Sequence, residues 1–248
     1  MSARTIIVAA ALVLASQRSA LADPSADAQA APASHAVSPC GGDYLSLSGL
    51  SDYRFDGFSE SNRQPTWQVT GYCYNAQGYF VGATFTGVDF EDTPRTHFEA
   101  DWYAGRQFQR GPYSVTVTLL YASFPDQRTA SPSYNIFEPE AEVSRTFKKL
   151  TVKGLAAWST SATSHSWHLK GTLAYQLTPW LRLDADAAHF WGEEGASHDT
   201  WDVGATANWR RFTLGAHYGG TTQSPAQCFF TDWCAPGPMV SLSYRVLP

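Results

Sequence analysis

Lysine, leucine and charge of either sign are scarce in this chain, and no basic block occurs in it. Charged residues make up 16% of its 248 residues, while Phe, Trp and Tyr make up 14%. That balance suits strands bordered by aromatic anchors far better than amphipathic helices with solvated faces. The formal net charge is −5, and an acidic chain without clustered Lys or Arg is a poor candidate for binding nucleic acid. Also missing are a Gly-x-Ser-x-Gly elbow, a His-Glu-x-x-His pair and a second cysteine pair at metal-ligand spacing. No catalytic residue, metal or cofactor is therefore expected. The apolar run Ile6 to Ala15 falls short of the roughly 20 residues a membrane-crossing helix takes.

What surrounds that run reads as a signal peptide. Arg4 supplies a basic start, and Ala20 and Ala22 are small residues suited to a cleavage site. Residues 1–22 are thus expected to be cleaved on export, 23–42 to be a flexible Ala/Ser/Pro-rich segment, and 43–248 to form the folded domain. Cleavage removes Arg4 and Arg18 but no acid, so the remainder is more acidic still. Export also places the four cysteines in an oxidising compartment. Cys228 and Cys234 enclose Phe-Phe-Thr-Asp-Trp and read as a small disulfide-closed loop. For Cys40 and Cys73 two readings stand: a second bridge, or a quiet small apolar side chain at Cys73.

From Tyr44 onward the sequence alternates with period two. Tyr113, Val115, Val117 and Leu119 share one face, and Ser114, Thr116 and Thr118 the other. Trp167 to Leu177, Trp201 to Trp209, Phe212 to Tyr218 and Val240 to Val246 repeat the pattern. In a soluble sandwich such rows face a core, and in an outer-membrane barrel they face lipid. Three features favour the barrel. The rows begin or end in Trp or Tyr, as at Trp167, Trp201, Trp209 and Tyr218. Their small members, such as Gly171, Ala205 and Ala207, would fill a sandwich core poorly. Connections alternate between short turns (Asn75–Gly78, Gln109–Pro112, Lys148-Lys149, Thr178-Pro179, Arg210-Arg211) and longer loops. The expected fold is all-β: a transmembrane antiparallel up-and-down barrel of about twelve strands, the first running over 44–58 and the last over 237–247. The Cys228–Cys234 loop then lies outside the cell, and Cys40 and Cys73 lie towards the periplasm.

With apolar rows on lipid, the opposite rows line a lumen. That set is Asp52, Arg54, Asp56, Glu99, Asp101, Glu138, Glu140, Glu142, Lys153, Lys170, Arg182, Asp184, Asp186, Asp202 and Arg245. Burying so many ions in dry protein would cost several kcal/mol each unless paired, a cost that a hydrated lumen largely removes. The like-charged row Glu138, Glu140, Glu142 needs such a lumen, or else an edge strand open to water. Acids outnumber bases in the set, which favours cations modestly in a pore. Twelve strands make a narrow barrel, either a small-solute channel or one largely filled by side chains and loops.

Two groupings deserve a catalytic reading beside the bland one. His165 and His168, with His198 and Asp199, lie near the outer rim, but three-apart spacing on a strand sends His165 and His168 to opposite faces. Asp184 and Asp186 share a face and form a candidate carboxylate pair, although Arg182 beside them points to an ordinary ion-pair network.

The segment Ser51-Asp-Tyr-Arg-Phe-Asp-Gly-Phe-Ser-Glu-Ser-Asn-Arg-Gln-Pro65 resembles the opening of the TorF-type porins, a proteobacterial outer-membrane family (Gcw_chp). Gly78-Tyr-Phe-Val-Gly82, Gly87-Val-Asp-Phe90 and Glu99-Ala-Asp-Trp-Tyr103-Ala-Gly105 are similar to that family's next hairpins, and Tyr121-x-x-Phe-Pro125 extends the similarity. Departures are Asp56, where the family usually has Arg, and the ending Arg245-Val-Leu-Pro248 in place of a terminal aromatic. The resemblance implies an outer-membrane location and a passive pore, with no catalytic residues to carry over. The expected partners are outer-membrane lipids, small hydrophilic solutes and the barrel-assembly machinery. The readings held beside the pore are a barrel enzyme working at the outer rim and a non-conducting structural or adhesive barrel.

Overall fold

The computed structural model describes residues 40–90, 95–127, 133–161, 164–192, 197–224, 226, 228 and 231–247. The expected signal peptide lies outside the described residues. Twelve strands build one closed antiparallel barrel. They are β1 (Gly42–Leu50), β4 (Thr66–Tyr74), β5 (Tyr79–Gly87), β6 (Phe98–Arg110), β7 (Tyr113–Ser123), β8 (Ile136–Phe147), β9 (Leu150–Thr160), β10 (His165–Thr178), β11 (Leu181–Gly192), β12 (His198–Trp209), β13 (Phe212–Thr221) and β14 (Gly237–Arg245). Two further short strands, β2 (Arg54–Phe55) and β3 (Phe58–Ser59), pair only with each other. Each wall strand pairs with the next in sequence, and β1 closes the ring on β14 from Ser46 opposite Arg245 to Leu50 opposite Ser241. Closure leaves no wall strand with an open edge.

The turns follow local chemistry. Gly78 (φ 81°) and Gly111 (φ 62°) take left-handed backbone that a side chain resists, and Lys148 and Arg210 hold the same region at φ 57° and 55°. These turns gather at one end of the barrel, with the start of β1 and the end of β14. The longer connections gather at the other, here termed the loop end.

Alternation sends the apolar rows outward, where they stay exposed. Near the loop end they finish in Trp67, Trp102, Phe137, Trp167, Trp191 and Tyr218, and near the turn end in Tyr79, Tyr113, Phe147, Trp180, Trp209 and Tyr244. Trp167 keeps 59% and Trp209 65% of its surface. Water would penalise such a belt, whereas the two interfaces of a bilayer accommodate it.

The first strand differs from the expected 44–58. It ends at Leu50, and residues 51–65 leave the wall as the β2–β3 hairpin. The cause is Asp56-Gly57, whose φ values of 50° and 86° make the tight two-residue turn that reverses the chain between Phe55 and Phe58. Tyr53 from this segment joins Leu50, Val88 and Phe124 in a small buried cluster at the loop end, with Phe90 and Tyr134 packed against it.

Candidate functional site

The barrel interior carries the polar chemistry. On the wall, Glu99 and Asp101 (β6), Glu138, Glu140 and Glu142 (β8), Lys153 (β9), Lys170 (β10), Arg182, Asp184 and Asp186 (β11), Asp202 (β12) and Arg245 (β14) sit on the inward rows, opposite the exposed apolar ones. Strand β8 pairs with β7 on one side and β9 on the other, so its glutamates are not on a water-exposed edge.

Two arcs of this interior differ. Across β14, β1, β4 and β5 the inward polar side chains other than Arg245 are hydroxyls and an amide, several bonded strand to strand: Ser48 to Ser243 at 2.7 Å, Thr70 to Thr84 at 3.1 Å, and Gln68 Nε2 donating to Thr86 Oγ1 at 3.1 Å. Towards the turn end of this side, Tyr72 packs against Tyr44, Phe80 and Tyr103 with tilted and edge-on ring contacts. The facing arc, β8 to β13, holds most of the ions, with Glu99 and Asp101 on β6 and Arg245 on β14 outside it. Ser159 donates to Glu138, whose carboxylate is also 4.0 Å from His168 Nδ1. Lys153 Nζ is 3.8 Å from Glu142, and Arg182 Nε is 2.7 Å from Asp184. Asp202 accepts from His217 Nδ1 at 2.6 Å and stands opposite Asp186 in the β11–β12 register. Near the loop end the packing is tight, with Lys170 and Asp202 each 1% exposed. Near the turn end, Arg182 and Asp184 keep more surface.

Asp52, Arg54 and Asp56 belong to the hairpin and not to the wall, a correction to the strand in which the sequence places them. Asp52 accepts from Arg54 Nε at 2.7 Å and from Ser59 Oγ at 2.6 Å, and Arg54 Nη1 donates to the Ala235 carbonyl at 2.9 Å. At 2% exposure of Arg54, these acceptors replace the water at Nε and Nη1 of its guanidinium. The hairpin reaches over the loop-end mouth to β12, where Phe58 meets His198 edge-on at 5.6 Å. Gly57 sits so close to Thr200, Thr221 and the Gly220 carbonyl that even a methyl group would meet them at 3.0–3.2 Å. Burial pushes the Tyr53 phenol well above its usual range, with the Glu99 and Asp101 carboxylates adding to the shift.

The rim residues do not assemble as a catalytic group. His165 points outward and meets Thr160 at 2.7 Å, while His168 points inward. His198 stacks on Phe190 in the interior, whereas its neighbour Asp199 faces outward. Asp199 instead pairs with His189 Nδ1 at 2.6 Å. Sequence reasoning missed this pair and the Asp202–His217 pair, because only the register of neighbouring strands brings each together. Both cysteine pairs are bridged, Cys40 to Cys73 at the turn end and Cys228 to Cys234 in the β13–β14 connection.

A closed twelve-strand barrel with an apolar belt outside and ionised side chains within defines the class of outer-membrane-type β-barrels. Residues 42–236 match the family described as "Bacterial protein of unknown function (Gcw_chp)", and the chain belongs to that family. No curated protein matches the sequence. Among solved structures, the KdgM porin superposes with a TM-score of 0.56 at 10% identity, covering 82% of this chain and 98% of that one. The NanC porin gives 0.54 at 8% identity, covering 82% and 99%. A further KdgM structure, solved with disordered oligogalacturonate, gives 0.55 at 9% identity, covering 82% and 98%. At these identities the likeness is one of fold.

Proposed function

We propose that this protein is an outer-membrane channel through which small hydrophilic solutes diffuse passively, with a modest preference for cations. In this reading the short turns and both chain ends face the periplasm, and the long loops face outward. The observation that carries it is the composition of the inward rows, where carboxylates occupy eight positions and Lys or Arg four. A low-dielectric wall focuses that excess on the lumen, raising the local concentration of cations and lowering that of anions. The KdgM structure with oligogalacturonate concerns a polyanion. The acid-rich interior here argues against such a cargo and for neutral or cationic solutes.

Planar-bilayer recording of refolded protein under a salt gradient tests the reading. The expected result is a reversal potential of the sign for cation preference, reduced when Glu140→Gln and Glu142→Gln are combined. Absence of current over a range of voltages and salts overturns the channel. One observation favours a second reading, a barrel that does not conduct at rest: the β2–β3 hairpin lies across the mouth above tightly packed charges. An enzyme at the rim has no such support, since His165, His198 and Asp199 do not share a face.

A further inference from the structure

We propose that residues 51–65 are a lid on the loop-end mouth, latched shut by residues 231–235 beside the Cys228–Cys234 bridge. The effect of the lid on conduction rests on the channel reading above, whereas its movement does not. One side of the segment is anchored by apolar packing: Tyr53 lies with Leu50, Val88 and Phe124, close to where β1 ends. The other side packs Phe58 and Gly57 against β12 and β13, and its directional polar contacts go to a single short stretch. Ser59 N donates to the Trp233 carbonyl at 3.0 Å, and Trp233 Nε1 donates to Asn62 Oδ1 at 3.0 Å. Arg54 Nη1 donates to the Ala235 carbonyl at 2.9 Å, and Arg63 Nη1 to the Asp232 carbonyl at 3.1 Å. The latch contacts are therefore polar and confined to residues 231–235, unlike the apolar anchor at Tyr53.

The backbone at the latch is held in a conformation that L-residues seldom adopt. Asn62 and Arg63 have φ of 53° and 57°, and Asp56 in the same segment has 50°. Left-handed residues without glycine persist where surrounding contacts over-determine them. Here the side chains of Asn62 and Arg63 themselves reach Trp233 and Asp232, and Arg63 N donates to Ser59 Oγ at 2.7 Å, so losing the first two contacts removes part of what holds the backbone. The latch stretch includes Cys234, and its bridge to Cys228 restrains it. Under the lid lies Thr200, 1% exposed and covered by Gly57 at the hairpin tip.

Thr200→Cys supplies the test, since all four native cysteines are bridged and the introduced thiol is the only one free. The probe is a polyethylene-glycol maleimide too bulky to traverse the lumen, applied to refolded protein. In the otherwise unchanged chain the thiol is expected to label slowly. With Trp233→Ala and Arg63→Ala combined, and separately with Cys228→Ser and Cys234→Ser combined, labelling rises about tenfold or more, as local opening becomes easier. Heat-modifiable gel mobility verifies that each variant is folded. Fast labelling with the latch intact, or unchanged labelling in both folded variants, overturns the lid. Faster labelling with larger conductance supports lid and channel together. Faster labelling with no current in any variant upholds the lid and overturns the channel reading, so the two failures are distinguishable.

Discussion

Arg54 and Tyr53 are adjacent in sequence and set the behaviour of the mouth at the scale of single residues. Arg54 and Asp52 are each almost wholly enclosed, so removing one leaves the other charged and without its partner. Arg54→Ala is expected to destabilise the hairpin by about 3–5 kcal/mol. Removing both charges, as Asp52→Asn with Arg54→Met, costs less because no ion is stranded. Hydrogen exchange reads the difference: hairpin amides lose protection in Arg54→Ala while the β9–β11 amides keep theirs. Tyr53 makes the mouth sensitive to alkali. Its pKa is raised in the folded state by burial first and by neighbouring carboxylates second, so the neutral phenol is the form that the fold favours. The stability it contributes is therefore complete below the ordinary tyrosine value of about 10 and is lost as pH rises through the folded pKa. Hairpin protection should fall above that pH, and Tyr53→Phe should abolish the fall.

At the scale of the element, each wall strand separates two solvents by alternation alone. Leu242 in the middle of β14 keeps 53% of its surface and faces outward, while its neighbour Ser243 faces inward and bonds Ser48. Leu242→Arg is expected to cost about 2–4 kcal/mol for a site near the bilayer midplane, measured by urea titration of folding into lipid vesicles. Most wall strands were legible because a period of two with aromatic ends is a local signal. The first strand was misread for an equally local reason. Asp52, Arg54 and Asp56 continue the alternation of β1, and the signal against it, Asp56-Gly57, is two residues long. Weighed as a hairpin turn, that dipeptide would have ended β1 early. The row Glu138, Glu140, Glu142 left two environments open, and pairing of β8 on both edges decides between them.

For the whole molecule, the bridges act at opposite ends. Cys40–Cys73 spans 33 residues and ties the chain before β1 to the end of β4, enclosing the entire hairpin segment. Chain-entropy reasoning puts its contribution at about 3–4 kcal/mol. Replacing both cysteines by serine should lower the midpoint of unfolding accordingly, and it should leave labelling at Thr200→Cys unchanged, because the latch is at the other end. Loss of the Cys228–Cys234 bridge should do the reverse, with a small effect on the barrel midpoint and a large one at the mouth.

Composition and alternation determined by themselves that this chain forms a membrane-type barrel, how many strands it has, and which rows are apolar. These depend on the solvent that each side chain prefers, and neighbours along the chain express that preference. Tertiary structure alone decided which ions meet. Asp202 finds His217, Asp199 finds His189, and Arg54 reaches the carbonyl of Ala235 from 181 residues away. It also decided that the segment from Ser51 to Pro65, which the local turn at Asp56-Gly57 takes out of the wall, lies across the mouth. Such contacts depend on strand register and ring closure, which bring distant residues within a few ångströms and leave no trace in local sequence.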